Sequence, residues 1–214
     1  GGSVRYRIRH TTRYHYQDSV SQCHNLAHLL PRNTPYQSCI SSEIRISPLP
    51  VTAIHRNDYF GNNTYHFSVQ VPHQVLEITA SSEVDIITQR QSLALDFGPT
   101  CADVKHMLFD NSIENNIFAR EFALNSPMIK RNDSLAEYGA ESFADNRPFL
   151  SGVRELTARI YKDFAYDPRA TEVATPLSQV MEQRSGVCQD FAHLAIGCLR
   201  SLGFPARYVS GYLD

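Results

Sequence analysis

The feature that most constrains the fold of this chain is a change in its hydrophobic period. In the first part, up to about residue 88, apolar and polar residues alternate, as they do in strands that bury one face. The alternation is clearest over residues 4–10, 43–46, 64–69 and 76–79. Prolines and a cluster of Asp, Gly and Asn separate these runs at positions typical of turns. Several short strands with this spacing predict an antiparallel, sandwich-like β domain.

Beyond residue 96 the apolar residues take helical spacing, loosely over residues 104–124 and more regularly afterwards. Ser151 is placed to cap a helix whose apolar residues step by three and four, namely Val153, Leu156, Ile160 and Phe164. Thr175 and Pro176 are typical of the N-cap and first residue of another short helix. We therefore predict an α+β chain, with a β domain over residues 1–95 and a mixed α+β domain over residues 96–214.

Composition excludes several classes of function. The formal net charge is −2 and the basic residues are dispersed, which gives no footprint for nucleic acid or an anionic membrane surface. No segment approaches the roughly 20 apolar residues that a membrane-spanning helix needs. The five cysteines are odd in number and contain no C-x-x-C pair, which argues against a zinc site or a disulfide framework. We expect no metal, no cofactor and a cytoplasmic location.

Residues 184–194 carry the clearest chemical signal. A single apolar face of an amphipathic helix follows, made of Phe191, Leu194, Ala195, Cys198, Leu199 and Leu202. Gly203 suits the position just past the end of that helix, and Pro205 prevents its continuation. Gly186 is expected to supply a flexible turn before the helix. Cys188 is therefore predicted to lie in the first helical turn.

That position suits a nucleophile. The thiolate is the reactive form of cysteine, and the positive end of a helix dipole favours it. The N–H groups of the first turn have no partner within the helix, so they are able to donate to an oxyanion when a carbonyl is attacked. Cys198, by contrast, lies on the apolar face and is predicted to pack in the core. Cys23, Cys39 and Cys101 have no context that distinguishes them from structural cysteines.

The block Arg-Ser-Gly-Val-Cys-Gln-Asp-Phe-Ala-His at 184–193, continued by 199–212, resembles the nucleophile block of the bacterial transglutaminase-like superfamily. Residues 167–171 and 175–177 resemble the lead-in to that block. The stretches 6–14, 30–32 and 58–62 resemble the separate β domain that precedes the core in bacterial members. The resemblance covers nearly the whole chain.

This resemblance implies a papain-like core in which a cysteine, a His base and an orienting Asp cleave or transfer amide bonds of a protein or peptide through a thioester. Bacterial members are commonly treated as cysteine proteases. The family's His lies in a His-Ala-Trp context after the nucleophile block, but this chain has no Trp and none of its nine His lies beyond residue 193. We therefore expect the base and the acid to be absent, the core to be truncated at its C-terminus, and this polypeptide to be inactive alone.

The expected truncation has a physical consequence, and the enzyme hypothesis has an alternative. A strand over residues 207–212 would lack a neighbour, and an unpaired edge of this kind favours self-association. The alternative to an enzyme is a non-catalytic interaction protein that binds through its β domain and keeps the core as a scaffold. The intact motif around Cys188 favours the enzyme.

Four further residues, in the block or beside it, are candidates for roles around Cys188. Asp190 is predicted to bond N–H groups of the first turn, with substrate contact as the alternative. Gln183 is a candidate oxyanion donor, although solvent exposure is favoured. His193 lies about 140° around the helix from Cys188 and is read as a structural residue that contacts a neighbouring loop. Arg207 is expected to pair with a carboxylate.

Overall fold

The structure, a computed structural model, describes residues 2–88, 94–170 and 175–213. The chain divides into two units, residues 1–92 and residues 93–214, each with its own hydrophobic core. Strands come first and helices dominate afterwards, so the predicted α+β class is confirmed. The change of period lies between residues 88 and 96, and residues 89–93 of that interval lie outside the described residues.

The first unit contains two three-stranded antiparallel sheets, in the orders β1-β6-β3 and β2-β5-β4. The strands are β1 Gly2–Val20, β2 Cys23–Ala27, β3 Gln37–Ser47, β4 Thr52–Asn57, β5 Asn63–Val69 and β6 His73–Thr88. All four alternating runs of the sequence lie within β1, β3, β5 or β6. The strand β4 was missed because it is exposed along its whole length, and a strand with no buried face leaves no alternation.

Side chains from both sheets form the core of this unit. Its buried members are Ala27, Ile46, Phe67, Val69, Leu76 and Ile78. Apolar residues on strands of both sheets share this one cluster, which is the packing of a β-sandwich. The opposite face of β1 and β6 carries cross-strand ion pairs such as Arg5 with Asp85 at 2.7 Å. Such exposed pairs contribute little to stability, so the buried cluster holds the unit together.

Two of the N-terminal stretches singled out by the sequence meet in one turn. Asp58 accepts hydrogen bonds from the backbone and side-chain N–H groups of Asn62, both at 2.8 Å, and these bonds lower the pKa of its carboxyl. The guanidinium of Arg32 donates to the carbonyl of Phe60 at 3.2 Å and to the side chain of Asn62 at 3.4 Å. These motif residues therefore build a turn of the β unit.

The second unit is mainly helical. Its elements are α1 Cys101–Leu108, α2 Glu114–Glu121, α3 Asp133–Ala140, α4 Phe149–Asp163, β7 Ala165–Tyr166, α5 Leu177–Gln183, β8 Ser185–Gly186 and α6 Cys188–Ser201. The two short strands β7 and β8 pair in parallel. The core lies around α6, where Leu194 and Cys198 are fully buried together with Leu135 and Phe204. None of the helices in the described ranges has the length and apolar character needed to cross a membrane.

Two predicted helix starts are wrong by a few residues. The helix α4 begins at Phe149, so Ser151 is a buried residue inside it and not its cap. Tertiary contacts of Phe149 explain why the helix starts earlier than predicted. The Phe149 N–H donates to the carbonyl of Pro99 at 3.0 Å, and the Phe149 ring contacts the ring of Phe204. The helix α5 begins at Leu177, so Pro176 occupies the N-cap position.

The predicted strand over residues 207–212 is not formed. The helix α6 ends at Ser201, Gly203 takes the left-handed conformation expected after a helix (φ 87°), and residues 204–213 have no regular secondary structure. A strand is defined by ladder hydrogen bonds to a neighbour, and within the part of the chain that the structure describes no strand pairs with this segment.

Candidate active site

The helix α6 begins at Cys188, with Val187 as its N-cap. The first hydrogen bond of the helix runs from the N–H of Phe191 to the carbonyl of Val187 at 3.1 Å. The N–H groups of Cys188 and Gln189 come before that bond, so the helix itself gives them no acceptor. The Cys188 side chain is exposed to solvent. The predicted position of Cys188 beside backbone donors at a helix start is confirmed, and the structure adds that its thiol is accessible.

Asp190 fixes the start of this helix. Its side chain is only 5 % exposed, and its Oδ2 accepts a hydrogen bond from the N–H of Val187 at 2.8 Å. Gly186 makes room for it, because a Cβ at position 186 would lie 2.7 Å from Asp190 Oδ2. The predicted reason for this glycine was therefore wrong. Gly186 lies in the strand β8, and it is needed for close approach and not as a flexible turn.

The segment before Cys188 is anchored by the β7–β8 pair. Ala165 donates to the carbonyl of Arg184 at 2.8 Å, and Asp167 donates to the carbonyl of Gly186 at 3.0 Å. These bonds connect the end of α4 with the approach to α6. Asp167, the first residue of the predicted lead-in, thus holds the loop that carries Cys188. The last residue of that lead-in stretch, Thr171, lies outside the described residues.

Arg184, the first residue of the motif, has an unusual backbone. It caps the end of α5 in the left-handed conformation, with φ 53° and ψ 36°. Its guanidinium lies over the ring of Phe164 at 4.9 Å and over that of Tyr138 at 5.4 Å. Burial and a hydrogen bond to Asp163 raise the pKa of the Tyr138 hydroxyl. Sequence reasoning assigned no role to this arginine, and its position in the motif was the only signal.

Neither Gln183 nor His193 contacts the Cys188 thiol among the described contacts. Gln183, the last residue of α5, is exposed, which agrees with the favoured interpretation. The ring of His193 contacts the ring of Tyr208 edge-on at 5.3 Å, and burial lowers the pKa of its imidazole. Among the described residues no histidine forms a hydrogen bond with Cys188. His193 therefore holds the segment after α6, as expected for a structural residue.

The remaining cysteines differ from Cys188 in their surroundings. Cys198 is fully buried, and desolvation raises its pKa to about 12. Cys101 is also buried, which raises the pKa of its thiol. Cys23 lies in the first unit, where its Sγ is 3.7 Å from the Nε2 of His73. The predicted core position of Cys198 is confirmed, and burial leaves its thiol a poor nucleophile.

The expected ion pair of Arg207 is absent from the described contacts. Its guanidinium lies over the ring of Phe122 at 5.6 Å. The segment after α6 is instead tied back by Arg200, which was missed because it lies on the helix and is nearly buried. Arg200 donates to the carbonyl of Ala206 at 3.0 Å and to the hydroxyl of Ser126 at 2.9 Å. A buried arginine satisfied by neutral acceptors leaves no pattern in the sequence.

A cysteine at the start of a core helix, in a unit preceded by an antiparallel β unit, agrees with the transglutaminase-like class. Residues 6–85 match the bacterial transglutaminase-like N-terminal region, and residues 137–214 match the transglutaminase-like superfamily core. The chain belongs to this bacterial transglutaminase-like family.

The chain is also similar to whole sequences and to a solved structure. An uncharacterised protein of Mycobacterium tuberculosis is 38 % identical over 212 residues, which are 99 % of this chain and 67 % of that protein. An uncharacterised protein of Mycobacterium leprae is 29 % identical over 214 residues, with 98 % and 71 % covered. A solved structure from Cytophaga hutchinsonii, described as a “Putative Cysteine Protease”, has a TM-score of 0.71 at 20 % identity and covers 96 % of this chain. This chain covers 66 % of that structure, so it spans about two thirds of the length of these proteins.

Proposed function

We propose that the full-length protein cleaves amide bonds of a protein or peptide through a thioester on Cys188. The observation that carries this proposal is the exposed Cys188 thiol at the first residue of α6, beside N–H groups that the helix leaves without acceptors. Membership of the transglutaminase-like superfamily adds to it. The same arrangement would serve transfer to an amine, so the reaction class is acyl transfer at a carbonyl.

The proposed steps follow from the geometry. The Sγ of Cys188 attacks the carbonyl carbon, and the N–H groups of Cys188 and Gln189 donate to the oxyanion that forms. The C–N bond then breaks, the amine leaves with a proton, and the acyl group stays on sulfur as a thioester. Water attacks the thioester and releases the acid and the thiol. We propose that the base for both stages is a histidine in the family's His-Ala-Trp context, a sequence that these 214 residues do not contain.

Hydrolysis is the favoured outcome over transfer. A thioester reacts with an amine only when the site keeps water away from it. The described residues supply no cover over the exposed Cys188 that would keep water out. We therefore propose peptidase or amidase activity as the main reaction.

The test compares two variants of the full-length protein, each with one cysteine replaced by alanine, on a mixed set of fluorogenic peptides. Cys188→Ala is expected to abolish hydrolysis, and Cys198→Ala is expected to keep it, provided that circular dichroism shows both variants folded. A substrate with a good leaving group and an acyl group that is hydrolysed slowly should also leave an acyl adduct on Cys188, detectable by mass spectrometry. Equal activity in the two variants would overturn the assignment of the nucleophile. Peptide binding without any Cys188-dependent hydrolysis would favour the non-catalytic interaction protein.

A further inference from the structure

An open cleft of about 580 Å³ lies in the second unit, next to the end of α5. Its walls come from α3, from α4 and from Arg184 just after α5. The lining residues are Tyr138, Glu141, Arg159, Lys162, Asp163 and Arg184. Neither the sequence motif nor the proposed chemistry at Cys188 assigns a role to this cleft.

The cleft has positive charge that its own carboxylates do not neutralise. Arg159 forms an ion pair with Glu141 at 2.9 Å, and Asp163 accepts a hydrogen bond from the Tyr138 hydroxyl at 2.9 Å. Lys162 and Arg184 form no ion pair with any residue in the described ranges. Three cations and two carboxylates line the cleft, so one net positive charge remains for an anion that enters it, and Lys162 and Arg184 are the cations without an ion-pair partner there.

The Arg184 guanidinium is held in place by aromatic rings. It lies over Phe164 and Tyr138, at 4.9 and 5.4 Å, and Arg159 lies over the ring of Tyr138 at 4.3 Å. Contacts between a cation and a ring face restrict the side chain but leave the N–H donors of the guanidinium edge available. A planar, fixed guanidinium matches a carboxylate, which it binds through two parallel hydrogen bonds.

The backbone of Arg184 gives an independent reason to expect a role for its side chain. The left-handed conformation disfavours any residue with a Cβ, and glycine is the usual choice at the end of a helix. The backbone bonds of Arg184, to the carbonyl of Val180 at 3.0 Å and from the N–H of Ala165 at 2.8 Å, would be available to glycine as well. An arginine at this strained position is therefore accounted for by its side chain, and strain of this kind clusters at functional sites.

We propose that this cleft is a carboxylate-binding subsite, in which Arg184 is the anchor and Lys162 a second donor. Arg184 precedes Cys188 by four residues, on the loop that β7 and β8 hold. The preferred substrates are therefore peptides with an acidic side chain near the amide that is cleaved. This assignment of substrate class rests on the proposed function, while the binding of a carboxylate does not.

Binding is tested first on the 214-residue chain, by NMR titration with N-acetyl-glutamate N-methylamide and with the neutral glutamine analogue. We expect the glutamate probe to shift resonances of the cleft and the glutamine probe to bind at least about tenfold more weakly, as for loss of a charge-assisted pair. Arg184→Gly should remove this preference without lowering thermal stability, because glycine suits the left-handed backbone. Arg45→Gln, at an exposed arginine of the first unit, is the matched control and should keep the preference.

Equal binding of the two probes, or an unchanged preference in Arg184→Gly, would overturn the proposal. Hydrolysis by the full-length protein then separates this proposal from the proposed function. If matched Glu and Gln peptides are cleaved equally in a Cys188-dependent reaction, the preference for acidic substrates is refuted and the proposed function stands. If the cleft prefers the carboxylate but no Cys188-dependent cleavage occurs, the subsite stands and the function is refuted.

Discussion

Replacement of Asp190 by alanine tests whether a single buried carboxylate holds the helix that carries Cys188. The side chain is 5 % exposed, and its Oδ2 accepts from the N–H of Val187 at 2.8 Å. A hydrogen bond from an amide to a charged group contributes about 1.5–3 kcal/mol. A carboxylate in the first helical turn adds about 0.3–1 kcal/mol through the helix dipole. We therefore expect Asp190→Ala to lower the free energy of unfolding of the second unit by about 2–4 kcal/mol.

The chain contains a matched control at the start of α1. Asp103 occupies the same helical position as Asp190, and it accepts from the N–H of Thr100 at 2.9 Å. Its side chain is exposed, so water replaces the lost bond more readily and Asp103→Ala should destabilise the unit less. Asp190→Asn keeps an acceptor oxygen but loses the charge, and its effect should lie between those of wild type and Asp190→Ala.

The assay is urea unfolding followed by far-ultraviolet circular dichroism, because the helices belong to the second unit. Native-state alkylation of Cys188 is measured in parallel, since a frayed first turn should change the reaction rate of this thiol. The reasoning would be refuted if Asp190→Ala destabilised the chain no more than Asp103→Ala. That result would mean that burial of the Asp190 carboxylate does not increase the contribution of its bond with Val187 to stability.

Three further predictions concern the thiols, the histidine on α6 and the segment after that helix. Iodoacetamide should modify the exposed Cys188 well before the fully buried Cys198, as peptide mass spectrometry will show, and equal rates would contradict the burial described here. Burial lowers the pKa of His193 below its ordinary value of 6.5. The folded state therefore keeps its full stability with respect to this group above pH 6.5, where the imidazole is neutral in both states, and it loses stability as the pH falls from 6.5 towards the folded pKa. In His193→Gln the free energy of unfolding should change less with pH in that window. The prediction is refuted if the urea midpoint of this variant falls with decreasing pH as steeply as that of the wild type. We also propose that this chain self-associates through residues 207–212, where Val209 is 76 % exposed and Tyr208 is 47 % exposed. A monomer by light scattering at high concentration would contradict this proposal.

Much of the fold could be predicted from local sequence patterns. The alternating runs fell within four of the six strands, because a strand with one buried face must alternate. The helix from Cys188 to Ser201 was predicted from its single apolar face and from Gly203 beyond it. The strand β4 left no such pattern because its residues are exposed on both faces. The helix α4 starts earlier than its sequence predicts because Phe149 packs on Phe204, which is distant along the chain.

The sequence by itself thus determined the two-part organisation, the position of Cys188 at a helix start and the core position of Cys198. These depend on residues close together in the chain. Only the tertiary structure decided why position 186 is glycine, which residue ties down the segment after α6, and that Arg184 faces a cleft with Tyr138. Each of these depends on a contact between residues that are distant along the chain or on different elements. The position of Cys188 at the start of α6 follows from sequence alone, whereas its exposure and the charged cleft beside its loop are known only from the folded structure.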